Sequence, residues 1–255
     1  MSTLEPALTE TRKEANNLWM DYWNHEDFWN KTQIWKINAA IAYLNLRKAV
    51  PLKKSDTVLN IGCGPGYFEN LLAKHVSRIV ACDVSENFLR HAQKICEKQS
   101  NVELIELDED YTNVDAIAGP FNFILCNSVV QYYKDKKETL DLIRSVQKIA
   151  APDAKMLIAD LPAQRNVWQT SWDLFYSLLL SIPGQYFLEF SRVLYDFIPR
   201  GFIYRMYQRA QETLVFSNAD LECLKLDIQN MGLHSSIINH QFSCYANRSS
   251  LIIYF

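Results

Sequence analysis

The sequence predicts an α/β protein built on a parallel β-sheet with helices on both faces. Three observations predict it. Between residues 57 and 160, short apolar runs alternate with helical patterns, the order that crossover helices impose on a parallel sheet. The first run, Val58-Leu59-Asn60-Ile61, leads into alternating glycines, Gly62-Cys63-Gly64-Pro65-Gly66. The second run, Arg78 to Asp83, ends in a carboxylate.

The elements follow in order. Residues 1 to 15 are polar and expected to fray. Residues 18–35 are rich in aromatics (Trp19, Tyr22, Trp23, Phe28, Trp29, Trp35), after which Ile37, Ile41 and Leu44 continue Ile34 at helical spacing until Pro51. Strands are expected near 57–61, 78–83, 102–107, 121–127 and 155–160. Helices are expected near 67–75, 85–98 and 136–150, the last with a stripe of Leu140, Ile143, Val146 and Ile149. Residues 163–216 have helical character and are broken at Pro183-Gly184 and at Pro199-Arg200-Gly201. Ser217-Asn218-Ala219-Asp220 forms a capping box for a helix carrying Leu221, Leu224, Ile228 and Met231, which Gly232 stops. Two last strands, near 235–242 and 249–255, close the chain as a hairpin around Asn247. The organisation is therefore an N-terminal helical cap (1–50), a core (51–162), a helical insertion or lid (163–216), and a helix with hairpin that completes the sheet (217–255).

Composition excludes several classes. A chain of 255 residues buries a large core and is most simply one domain with appendages. Its net charge of −3 lacks the basic excess of a general nucleic-acid binder. The six cysteines show no CxxC pair and no zinc spacing, so no metal site is expected, and free thiols point to the cytoplasm. The N-terminus carries no secretory apolar core, and no apolar run reaches the about 20 residues of a membrane span.

The glycine turn carries the chemistry. Glycines there let the backbone approach a ligand closely. A carboxylate at the tip of the next strand accepts hydrogen bonds from a ribose diol. Together they point to an adenosine-containing cofactor. A dinucleotide site would place a third small residue where Tyr67 stands.

The spacing G-x-G-x-G instead resembles the first motif of class I S-adenosylmethionine (SAM)-dependent methyltransferases. Asp83 matches that family's ribose-binding acid. Asp108 matches the acid that meets the adenine amine, and Phe121 to Tyr132 looks like its fourth strand and following turn. The likeness covers about residues 55 to 161. It implies a Rossmann-like parallel sheet with a reversed terminal strand, SAM as cofactor and S-adenosylhomocysteine as product. It assigns Asn60, Gly62, Cys63, Gly64 and Gly66 to the cofactor loop, Val84 to the adenine face, and Asn127 with Ser128 to the methionine part. Two departures stand out. The family's leading acid is Asn60 here, which loses a negative charge that would face the cofactor's ammonium, and the usual Phe-Asp opening of the fourth strand is Phe121-Asn122.

The acceptor is not legible. No N-P-P-Y motif of amino-methyltransferases follows the fourth strand. Candidate groups near the reacting atoms are His25, Tyr132, Tyr133 and Asp160, while His75 and His91 should be exposed. The aromatic cap and the insertion, with Arg192, Arg200, Arg205 and Arg209, are expected to select a small-molecule acceptor, hydrophobic or anionic. The insertion could equally cover the sheet, pair two subunits of a homodimer, or touch a membrane surface. A non-catalytic SAM-binding partner and an NAD-binding oxidoreductase are the alternative functions.

Overall fold

The structure is a computed structural model that describes residues 33–108, 113–162, 216–238, 240, 242–243 and 248–255. The aromatic segment before residue 33, with His25, and residues 163–215 of the insertion lie outside the described residues.

Helix α1, Gln33–Ala49, buries Ala39, Ala42 and Leu46 on one stripe and ends in Arg47 and Lys48 ahead of Pro51. Basic residues there complement the negative end of the helix dipole. Strand β1, Thr57–Ile61, runs through the glycine turn into the short helix α2, Tyr67–Leu72. Strand β2, Arg78–Asp83, leads to α3, Glu86–Ile95, whose first turn is capped by the Ser85 hydroxyl accepting from the Phe88 N–H. Strands β3, Val102–Glu106, and β4, Phe121–Asn127, follow. Helix α4, Lys136–Gln147, is capped by Asp135. Strand β5 runs from Ala150 to Pro162, longer at both ends than the sequence indicates, because Ala150 still pairs with Phe121 and Pro162 with Arg248.

The predicted capping box is present. Ser217 and Asp220 exchange hydrogen bonds at the start of α5, Asn218–Asn230, which buries Leu221, Leu224 and Ile228. The last two strands are β6, His234–Ile238, and β7, Arg248–Tyr254. The former ends short of residue 242, and Phe242 and Ser243 leave it to reach the carboxyl ends of β4 and β5.

The sheet order is β3-β2-β1-β4-β5-β7-β6. Strands β1 to β5 are parallel and β7 is antiparallel to both neighbours, the expected reversed strand. Alternate side chains feed two cores. Leu59, Ile61, Val80, Ile124, Met156 and Ile158 pack with α4 and α5 on one face. Val58, Ile79, Ala81, Phe123, Leu125 and Leu157 pack with α1 and α2 on the other. Burial on both faces explains why these strands read as continuous apolar runs. His75 is not a simple surface residue: its ring nitrogen is hydrogen-bonded to the Tyr43 hydroxyl of α1 at 2.7 Å.

Candidate cofactor site

The strand order reverses at β1, which has β2 on one side and β4 on the other. Open parallel sheets form their ligand crevice at the carboxyl ends of strands around such a point. The glycine turn lies there. Gly62, Gly64 and Gly66 all adopt positive φ, at 76°, 55° and 82°. Two of them are also sterically required. A Cβ on Gly62 would sit 2.2 Å from Val129 Cγ2, and one on Gly66 would sit 2.7 Å from Ala92 Cα of α3. Gly64 differs, since a Cβ there meets nothing closer than the Phe88 ring at 3.7 Å. Its side of the turn is the open one. The Phe88 ring is in turn packed edge-on by Trp35 of α1 at a centroid distance of 5.7 Å, which brings the described end of the cap to the glycine turn.

Asp83 is buried at the tip of β2. Its Oδ2 accepts the Gly64 N–H at 2.8 Å and its Oδ1 accepts the Ser85 N–H at 3.0 Å. Each carboxylate oxygen has a second lone pair for a ligand hydroxyl. Burial pushes its pKa from 3.8 up to about 6 against the opposing pull of those backbone donors.

Asn60 has a partner within the protein that its place in the motif does not suggest. It is 4% exposed, and its Nδ2 donates to Glu69 Oε1, from the first turn of α2. Glu69 is fully buried and was not legible as a site residue, because an acid in a helix's first turn is ordinarily solvated. Burial lifts its pKa from 4.5 to about 7, and the Asn60 hydrogen bond opposes that rise. Among the described residues, Asn60 Oδ1 and Glu69 Oε2 have no hydrogen-bond donor.

Asp160, at the end of β5, is 1% exposed and occupied within the protein. Its carboxylate accepts the Ser128 and Ser243 hydroxyls, each at 2.5 Å, and lies 3.6 Å from Arg248 Nε. Arg248 also donates to Gln131 Oε1 at 2.9 Å. Ser128 and Asp160 both adopt positive φ, 61° and 63°, a conformation that costs a non-glycine residue energy and clusters at ligand sites. Asp160 thus joins three chain segments through its carboxylate. Tyr133 is likewise a core residue, 8% exposed, whereas Tyr132 beside it is half-buried.

The other expected residues are placed as follows. Val84 is half-exposed and packs against the core beside the crevice. Asp108 is exposed just past β3, and its backbone N–H donates to Asn113 Oδ1 at 3.2 Å. Asn127, at the end of β4, donates from Nδ2 to the Phe242 carbonyl at 3.5 Å and keeps a buried Oδ1 without a donor. Cys63 is buried in the turn. Burial first, then the Glu69 and Asp83 carboxyls, push its thiol well above the ordinary range, so it contributes backbone and volume but no thiolate.

Residues 58–153 match the family described as a methyltransferase domain. Over those residues the chain is similar to methyltransferases, and the sheet around them has five parallel strands and one reversed strand. The chain is 37% identical over 78 residues to a 23S rRNA (uracil(1939)-C(5))-methyltransferase of Photobacterium profundum, covering 29% of the chain and 17% of that protein. It is 32% identical over 106 residues to a trans-aconitate 2-methyltransferase of Azoarcus, covering 40% of each. The chain therefore spans well under half the length of either relative. Among solved structures, the magnesium protoporphyrin IX methyltransferase of Synechocystis with bound S-adenosylhomocysteine superposes with a TM-score of 0.56 at 15% identity. That match covers 93% of this chain and 98% of the other, and at this identity it establishes the fold.

The residues around the glycine turn fit S-adenosylmethionine. Gly64 leaves room at the turn, Asp83 presents acceptors for a diol, and three buried oxygens, on Asn60, Glu69 and Asn127, await donors. A ligand bearing hydroxyl, ammonium and amine donors answers that set.

Proposed function

We propose that the protein transfers the methyl group of SAM to a small-molecule acceptor. The observation that carries this reading is Asp83 bound to the Gly64 N–H at the strand-order switch of a β3-β2-β1-β4-β5-β7-β6 sheet. The sulfonium supplies an activated methyl group with its own leaving group, so the protein's work is alignment and exclusion of water. Asp83 would hold the ribose hydroxyls while its bond to Gly64 keeps the turn closed around them. Asn127, Ser128 and the half-buried Tyr132 stand at the end of β4, on the side from which an acceptor approaches.

A small acceptor is favoured by the net charge of −3, which gives no electrostatic attraction to a polyanion. Stretches of the chain resemble both a 23S rRNA methyltransferase and a trans-aconitate methyltransferase, so these likenesses do not choose between acceptors. Selection belongs to the cap and the insertion. No helix among the described residues is long and apolar enough to cross a membrane. The described cysteines are free thiols, which suits a reducing cytoplasm.

Thermal shift with SAM, S-adenosylhomocysteine and NAD tests the reading, because a ligand stabilises by a mass-action amount set by its concentration over Kd. Stabilisation by the first two is expected. Stabilisation by NAD alone would overturn it. Methyl-labelled SAM with pools of small acids, phenols and amines then identifies the acceptor class, with an RNA pool as the opposing arm.

A further inference from the structure

Beneath the glycine turn lies a pair of polar groups that the cofactor reading so far leaves unexplained. Asn60 is the penultimate residue of β1 and Glu69 stands in the first turn of α2, so they bracket the turn in sequence and meet in space. Both are buried, and each keeps one oxygen without a donor, Asn60 Oδ1 and Glu69 Oε2. The titratable groups that interact with Glu69 among the described residues are Cys63 from the turn, Cys82 and Asp83 from β2, and Cys96 from the end of α3, while α1 packs on α2 with Lys36 over the Tyr67 ring. None of those interacting groups is a cation. A carboxylate buried among acids and thiols, with no cation beside it among the described residues, is costly, and the neutral acid is the form such a site favours.

A cationic ligand reverses that preference. SAM carries a sulfonium and an ammonium, and the backbone that its family folds around them is the stretch separating Asn60 from Glu69. In a low-dielectric interior the attraction between that charge and an ionised Glu69 is little screened. The motif's first position, where a negative charge is expected, holds an uncharged Asn60. Glu69 is the carboxyl that can restore the charge from the far side of the turn.

We propose that Glu69 is the counter-charge for the positive end of SAM, converted from neutral acid to carboxylate when the cofactor binds, with its proton released to solvent. This rests on the SAM reading above. The Asn60 amide positions the carboxyl, donating to one oxygen whichever form is present. Cofactor binding then becomes proton-linked, tightening as pH rises through the titration of Glu69.

Glutamate-selective carboxyl 13C labelling tests this on the unmodified protein, since it reports Glu69 without interference from Asp83. One glutamate carboxyl should titrate near pH 7 in the free protein and move down by two units or more with SAM bound. A two-unit move corresponds to about a hundredfold tighter binding by the ionised form. Calorimetry in buffers of different ionisation enthalpy should find about 0.7 proton released per SAM at pH 6.5, and Glu69→Gln should lose that release and bind SAM weakly at pH 8. If the variant does not fold, the carboxyl titration of the wild type decides. SAM binding that leaves every glutamate carboxyl unmoved would overturn the proposal alone. Absence of SAM binding at any pH would overturn the SAM reading as well.

Discussion

The Gly64 N–H donates to Asp83 Oδ2 at 2.8 Å, so the turn after β1 and the tip of β2 are one unit. The carboxylate that a ribose would meet is the same group that sets the shape of the turn. Substitutions at Asp83 must therefore be read for structure as well as for binding.

Asp83→Ala leaves the Gly64 and Ser85 N–H groups without their acceptor. Each buried donor so orphaned costs about 1–3 kcal/mol. Asp83→Asn keeps one carbonyl acceptor and should fold with a smaller loss. Its SAM affinity should fall by about tenfold or more, since a hydrogen bond to a charged group contributes about 1.5–3 kcal/mol. Calorimetric titration of the folded Asn variant separates the two effects. Unchanged affinity would remove Asp83 from the site.

The glycines should divide by what surrounds them. Gly66→Ala drives a Cβ to 2.7 Å from the Ala92 backbone at a φ of 82°, and a loss of ~2–4 kcal/mol is expected from overpacking and left-handed strain. Gly64→Ala meets only Phe88 at 3.7 Å, so it should lose ~1–2 kcal/mol and remain folded. Its methyl group fills the open side of the turn, so SAM binding should be lost. Denaturant melts paired with SAM titrations check this contrast.

Stability of the cofactor-free protein should fall as pH rises from about 4 to about 7. Glu69 and Asp83 both have folded pKa values raised above their ordinary ones, to about 7 and about 6. In that window the folded state keeps protons that the unfolded state has already lost. Their stabilising contribution is full below the unfolded values and gone above the folded ones. A rise of about two units amounts to roughly 3 kcal/mol per group. Urea melts at pH 5 and pH 8 should show the fall, and Glu69→Gln should flatten its upper half. A flat profile in the wild type would mean that neither group is held neutral.

Asp160→Asn should lower stability while leaving SAM affinity within a few-fold. Removing the charge loosens the clamp on Ser128, Ser243 and Arg248 without emptying it. Asp160→Ala should cost more, about 3–5 kcal/mol, because Arg248 loses its buried partner. Methyl transfer abolished in a fully stable Asp160→Asn protein would instead mark Asp160 as a base.

Local chemistry determined much of this protein without help from the tertiary fold. Apolar runs of strand length between helical stripes were enough for β1 to β5 and their crossovers. The Ser217–Asp220 box is contained in four consecutive residues, and its helix begins where they place it. Glycines at Gly62, Gly64 and Gly66 announce a turn because only they accept its backbone, and Asp83 is a strand-end acid readable from position alone. Tertiary structure decided the rest. Glu69 looks like any first-turn acid until α2 is laid against β1, where burial lifts its pKa to about 7 beside Asn60. Asp160 looks like a free carboxylate until Ser128, Ser243 and Arg248 reach it from 32, 83 and 88 residues away. Gly66 is a turn glycine in sequence and a packing glycine in space, because Ala92 of α3 leaves no room for a Cβ. Side-chain charge and availability depend on what burial removes from water, and burial is set by contacts between elements far apart in the chain.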